Sequence, residues 1–250
     1  MHAEPPVVSK TISYKDGEVE LEGVLVMPAK PSAAKIPGVL LVHDWTGVQD
    51  YARSRAAQLA QLGYAAFCAD IYGKGIRPND PKECSAEAGK YKTNRVLFRQ
   101  RLNLALDAFK TQPGIDASRL AAIGYCFGGL GVIELARSGA DVKGVVSFHG
   151  ALDAPAPTDG STVKAKVLIL HGAEDPFVPE KDIKAFVTDM NTAKVDWQMV
   201  YYSGAVHSFT KPAAGSNKAS GSAYDEKADR RSWKAMDDFL QEVLSPTPGH

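Results

Sequence analysis

The chain has 250 residues, 29 of them basic and 29 acidic, so its net charge is zero with histidine neutral. That balance provides no long-range field toward nucleic acid or an acidic membrane surface, and no apolar run approaches the roughly 20 residues that span a bilayer. Hydrophobic residues make up 44%, too many for a disordered chain, and 3 cysteines do not suit a disulfide framework, although a Cys68–Cys84 bond stays open.

The N-terminus, Met1-His2-Ala3-Glu4-Pro5, lacks the charged and apolar regions of a signal peptide. His2-Ala3 reads either as the tail of an A-x-A cleavage site or as an ordinary start, and residues 1–10 are expected to be a flexible extension. Thr11–Tyr14 and Val19–Met27 then read as two β segments joined at Asp16-Gly17. Pro28–Pro37 is a surface loop, and Gly38–His43 is an apolar strand of the kind buried on both faces of a parallel sheet. A helix over Asp50–Leu62 stops at Gly63, and Tyr64–Ala69 is the next strand. After a Gly/Pro/Asn loop to Pro81, one long helix runs to about Lys110, with Phe98, Leu102, Ala105 and Phe109 as its apolar stripe. Pro113-Gly114 ends it.

Leu120–Ile123 reads as a short buried strand that stops at Gly124, and Leu130–Arg137 as a helix. Between them stands Cys126, with Gly124 and Gly128 two positions away on either side. Strand, sharp turn and helix in that order match the nucleophile elbow G-x-S-x-G, with Cys in place of Ser. A turn this tight needs glycine flanks, and it aims the sulfur at a helix N-terminus that favours a thiolate. The competing role is that of one more buried structural cysteine. Further strands follow at Val142–Phe148, Ala165–His171 and Val195–Tyr202, with a small-residue loop over Ala154–Thr162 and a helix over Lys181–Met190. Ser203–Tyr224 is a long polar loop. Lys227–Leu244 is a closing amphipathic helix with Trp233, Phe239 and Leu240 inward. Alternating strands and helices without a linker imply one α/β domain over residues 1–250 with a mostly parallel sheet.

A thiol nucleophile needs a base, and the base an orienting acid. Loops at the C-terminal ends of the later strands supply both: Asp175 in Gly172-Ala173-Glu174-Asp175-Pro176 as the acid, and His207 in Gly204-Ala205-Val206-His207-Ser208-Phe209 as the base. Glu174 is the alternative acid, less favoured because Pro176 restrains the Asp175 backbone. His171 and His149 also end strands and are alternative bases, although buried histidines more often serve as satisfied core groups. Two N–H donors are expected to form the oxyanion hole, those of Phe127 and of Trp45 in His43-Asp44-Trp45-Thr46-Gly47. Asp44 either modulates the thiol, by holding the S–H or opposing the thiolate, or simply caps the turn. No His/Cys cluster has metal-ligand spacing.

These stretches, with Gly63-Tyr64-Ala65-Ala66, Ala69-Asp70-Ile71-Tyr72-Gly73 and Phe177-Val178-Pro179, resemble the dienelactone hydrolases, a cysteine branch of the α/β-hydrolases, from about Val19 to Leu240. The resemblance implies an α/β-hydrolase fold, a mostly parallel central sheet of about eight strands with helices on both faces. It implies a Cys126–His207–Asp175 triad and hydrolysis of a small-molecule ester or lactone through an acyl-thiol, with no cofactor; the charge balance and hydropathy add the expectation of no nucleic-acid partner and no membrane insertion. Well-known bacterial members have glutamate at Asp44 and an arginine near Lys211, whose single ammonium offers no bidentate fork. The family's second arginine has no clear match, with Arg95, Arg99 and Arg101 lying in the right region. An aromatic pair is replaced by Phe148-His149. Lys211, His149 and Arg99 are therefore the substrate-binding candidates. Some relatives with this His-Asp-Trp loop look exported, which favours an extracytoplasmic location; monomer and dimer both remain open. The rival classes are a non-catalytic binding relative and a thiol-dependent acyl transferase.

Overall fold

The structure is a computed structural model and describes residues 5–154 and 159–245. Eight strands lie in the sheet order β1-β2-β4-β3-β5-β6-β7-β8. The chain divides into two compact units, with the boundary between Ala122 and Ile123.

In the first unit, β1 (Val7–Asp16) and β2 (Val19–Pro28) form an antiparallel hairpin that turns at Gly17 with φ 57°. The strand begins at Val7, so the extension expected over 1–10 is strand from that residue; residues 1–4 lie outside the described ones. β2 pairs antiparallel with β4 (Ala65–Ala69), which pairs parallel with β3 (Ile36–Val42). Every residue of β4 is buried, as a strand covered on both faces requires. Its successive side chains show what covers it. Phe67 stacks on Phe109 of α3 (Arg95–Lys110) at 5.5 Å, while the Cys68 thiol faces the Ala52 carbonyl of α1 (Asp50–Gln61) at 3.4 Å. Neighbouring strand residues point to opposite faces, so α1 and α3 sandwich the sheet.

The long helix expected from Pro81 to Lys110 is two helices, α2 (Pro81–Thr93) and α3. Asn94 separates them in a non-helical conformation (φ −119°, ψ 82°), and its side chain accepts the Leu97 N–H. A short amide that satisfies an orphan donor favours a new start over continuation. Cys68 and Cys84 are both free and buried; the Cys84 thiol lies against the Pro78 carbonyl.

In the second unit, β5 (Ile115–Tyr125, entering from the first) leads into α4 (Phe127–Arg137). β6 (Gly144–Phe148), β7 (Lys166–Gly172) and β8 (Trp197–Tyr202) pair in parallel. A Cβ on Gly144 would collide with Phe239 of α6 (Glu226–Leu244), whereas Ser147 faces Gly129 of α4. An odd spacing along a strand puts α6 and α4 on opposite faces. The inward stripe of α6 is Ala228, Ser232, Met236, Leu240 and Leu244, with Trp233 and Phe239 half-buried beside it. Of the loop expected over 154–162, residues 155–158 lie outside the described ones and Asp159–Thr162 is a 3₁₀ turn. α5 (Glu180–Thr192) joins β7 to β8. No helix among the described residues is long and apolar enough to cross a membrane.

Candidate active site

Cys126 stands where β5 ends and α4 begins, with φ 54° and ψ −111°. Such a backbone is costly for a residue with a Cβ and persists only where its surroundings over-determine it. The glycine frame supplies part of that determination. A Cβ built on Gly124 would lie 1.9 Å from the Gly128 carbonyl oxygen, so the two flanking glycines touch each other and only a bare Cα lets the elbow close. Gly129 and Gly150 make a similar approach, a Cβ on Gly129 falling 2.7 Å from the Gly150 Cα. This lets the first turn of α4 rest on the loop after β6. As the first helical residue, Phe127 presents an N–H with no acceptor inside the helix. The N-terminal dipole there favours negative charge on the neighbouring sulfur.

The His207 ring lies between two partners. Its Nε2 is 3.1 Å from the Cys126 sulfur and its Nδ1 is 2.9 Å from Asp175 Oδ2. The other Asp175 oxygen accepts the Phe177 N–H at 2.9 Å, which fixes the carboxylate against rotation. Asp175 is buried and the adjacent Glu174 is exposed, and it is Asp175 whose carboxylate meets His207. The His207 backbone is held from both sides: its N–H donates to the Gly221 carbonyl at 3.1 Å and its carbonyl accepts the Ala223 N–H at 3.0 Å. The polar loop expected over 203–224 thus folds back on itself, with two 3₁₀ turns and a bridge between His207 and Ser222. Burial alone would lower the His207 pKa. The Cys126 sulfur and the Asp175 carboxylate outweigh it and push the value up to about 10. His207 is therefore held in its protonated form near neutral pH.

The other histidines take different places. His171 is 2% exposed, burial lowers its pKa, and its Nδ1 has no hydrogen-bond partner. It lines a cavity of about 620 Å³ with Asp175, Glu180, Lys184 and Tyr201, a set that includes neither Cys126 nor His207. His149, expected as a substrate-binding candidate, is instead buried, at 2% exposure. Its Nδ1 accepts the Cys126 backbone N–H at 3.2 Å, and its Nε2 lies 2.7 Å from Thr210 Oγ1. Thr210, which is fully buried, was not singled out from the sequence, where nothing distinguishes it from any loop threonine. Phe177, exposed and edge-on to His207 at 5.4 Å, was likewise visible only as part of a motif. Lys211 is half-buried just beyond, its N–H donating to Ser208.

In the first unit, Asp44 is buried and its Oδ1 accepts the Thr46 N–H at 2.9 Å and the Thr46 hydroxyl. Those two bonds cap the turn. The Trp45 carbonyl accepts the Tyr72 hydroxyl at 3.1 Å. Arg101 is 5% exposed and tied to Asp16 at 2.6 Å and to the Ile71 carbonyl, so it serves the fold rather than a ligand. Arg99 is half-buried on α3, and Arg95 donates to the Lys92 carbonyl. No group of three or more potential metal ligands occurs among the described residues.

A mostly parallel eight-stranded sheet carrying a cysteine on a strand–helix elbow, with a histidine and a carboxylate on later loops, defines an α/β-hydrolase. The profile of the dienelactone hydrolase family matches residues 21–244, and the chain belongs to that family. A crystal structure of a dienelactone hydrolase-like promiscuous phosphotriesterase from metagenomic libraries is similar, with 38% identity and a TM-score of 0.91, covering 96% of this chain and 99% of that one. An uncharacterized protein of Caenorhabditis elegans is 35% identical over 153 residues, 59% of this chain and 95% of its own length. A Salmonella typhimurium protein that bears the provisional name carboxymethylenebutenolidase is 26% identical over 261 residues, 94% of this chain and 92% of its own.

Proposed function

We propose that this protein hydrolyses a carboxylic ester or lactone with Cys126 as nucleophile, His207 as general acid and base, and Asp175 as the orienting carboxylate. One observation carries the reading: a single imidazole reaches the sulfur with Nε2 and a buried carboxylate with Nδ1. The Cys126 thiolate attacks the carbonyl carbon, and the negative charge moves to the carbonyl oxygen. The Phe127 N–H, at the start of α4, stabilises it. The tetrahedral species collapses as the C–O bond to the leaving group breaks. His207 Nε2 gives its proton to the departing oxygen; in a lactone that oxygen stays tethered as the new hydroxyl, and from an enol lactone that hydroxyl is an enol, which tautomerises to the ketone as a proton moves from oxygen to carbon. Water then attacks the acyl-thiol and transfers a proton to Nε2, and the thiolate leaves the carboxylic acid product. Asp175 holds the Nδ1 proton throughout, so Nε2 always faces the sulfur.

Cys126→Ala should lower hydrolysis of a chromogenic short-chain ester by about 10⁶-fold, the scale of losing a triad nucleophile, while the circular dichroism spectrum is unchanged. Mass spectrometry of the wild type quenched during turnover should find the acyl group on the peptide that contains Cys126. Wild-type turnover by the Ala variant would end the reading. A non-catalytic relative would show no burst at all, and an acyl transferase would prefer an added alcohol over water.

A further inference from the structure

We propose that His149 is a positioning residue of this site, holding the backbone of Cys126 through its own Nδ1 and so setting the direction of the sulfur. The inference rests on the reading of Cys126 as nucleophile. The Cys126 N–H can only donate, so the Nδ1 that meets it at 3.2 Å must present a lone pair. The ring proton is therefore on Nε2, and it is given to Thr210 Oγ1 at 2.7 Å. Both partners are buried, His149 at 2% and Thr210 at 0% exposure, so no water competes for either bond. The backbone of His149 is equally fixed. Its N–H donates to the Leu170 carbonyl of β7 at 2.9 Å, and its φ is 40°.

Cys126 and His149, joined by this hydrogen bond, are two of four non-glycine residues with positive φ among those described. Strained backbone of this kind needs external determination. The Cys126 N–H also points to the Phe148 carbonyl at 3.0 Å, so residues 148 and 149 together receive the amide of the nucleophile. The imidazole is clamped from its other sides by rings: His207 at 5.2 Å and Phe209 at 5.1 Å, both edge-on, and Tyr125 at 6.2 Å. It thus packs against the His207 ring while it bonds to the Cys126 amide. A chain Thr210–His149–Cys126 amide links the loop after β8, which carries His207, to the elbow.

The test separates the two ring nitrogens. His149→Asn places a side-chain oxygen near the Nδ1 position and tolerates positive φ, so it keeps the acceptor for Cys126 and loses the contact with Thr210. His149→Gln reaches the Nε2 position and loses the acceptor near the backbone. His149→Phe keeps an aromatic ring and loses both. Ester kcat should fall by about 10²-fold in the Phe and Gln variants, the scale of a small misplacement of a reacting group, with KM little changed. The Asn variant should retain most of the wild-type kcat. The rate of Cys126 alkylation by iodoacetamide, read by mass spectrometry of its peptide, should follow the same order. Should the Phe variant fail to fold, the Asn–Gln pair decides, and Thr210→Val supplies a milder perturbation expected to lower kcat less than Gln does. Equal kcat and equal alkylation for Asn and Gln would overturn the proposal. If the wild type hydrolyses no ester, the functional reading fails separately, and alkylation alone still decides whether His149 positions the sulfur.

Discussion

The acid in the site shows how two adjacent carboxylates come to differ. Glu174 and Asp175 are neighbours in sequence, yet one is exposed and the other buried, with one oxygen on the Phe177 amide and the other on His207. Asp175→Asn should therefore lower kcat by about 10⁴-fold, as for the corresponding change in a serine triad, whereas Glu174→Gln should leave it near wild type; reversed effects in steady-state kinetics would show that the acid was misassigned. The same carboxylate helps hold the His207 pKa at about 10. Because that value stands above the ordinary 6.5, the charged pair's stabilisation is complete below about 6.5 and is lost as the pH rises through about 10. Turnover should show an alkaline limb near pH 10, where the leaving group no longer finds a proton, and Asp175→Asn should move the limb to lower pH. That Cys126, Asp175 and His207 come together was legible in the sequence, since each lies in a short motif at a strand end. The bond between His149 and the Cys126 amide was not, because a side chain that accepts a backbone amide across 23 positions leaves no local pattern.

At the scale of elements, the strand–elbow–helix unit was legible because its glycines are required by contact. A Cβ on Gly124 has the Gly128 carbonyl oxygen at 1.9 Å and its carbon at 2.3 Å, and both are backbone atoms of the turn itself. Gly124→Ala must open the elbow, so it should cost about 1–3 kcal/mol or more of stability and reduce turnover with it, both measured on one preparation. Gly89, in the interior of α2, has nothing within 4 Å of an added Cβ. Gly89→Ala should instead stabilise by about 0.5–1 kcal/mol by restricting the unfolded chain and favouring helix. A rise in the urea midpoint for Gly89→Ala alongside a fall for Gly124→Ala would separate a glycine demanded by contact from one that is merely tolerated. The helix break at Asn94 went unread for a related reason. The apolar stripe of α3 extends the period of the preceding segment smoothly, and a single capping amide interrupts it without altering that period.

For the whole molecule, formal charge was legible as a balance but its burial was not. Arg137, at the last turn of α4, is the largest of the fully buried side chains among the described residues. Its guanidinium lies 3.3 Å from Glu134, 3.8 Å from Asp189 of α5 and 3.1 Å from the Asp153 carbonyl, while its own carbonyl accepts the Thr162 hydroxyl. Asp189 in turn accepts the Gly160 N–H at 3.2 Å. An arginine in the last turn of a helix ordinarily stays exposed, where its charge complements the dipole. Instead the second unit places a cation between two buried carboxylates and ties α4, α5 and the turn at Asp159–Thr162 to it. A fully buried ion network is not by itself a source of stability, because desolvation offsets the attraction. Removing its one cation is another matter, since two carboxylates are then left facing each other out of water. Arg137→Met, which keeps the length and apolar volume of the stem, should destabilise by about 3–5 kcal/mol. Replacing Glu134 and Asp189 as well, by Gln and Asn, should recover a large part of that loss. Urea unfolding of the single and triple variants provides the check: a single variant as stable as wild type would show that the carboxylates are not held as charges around Arg137.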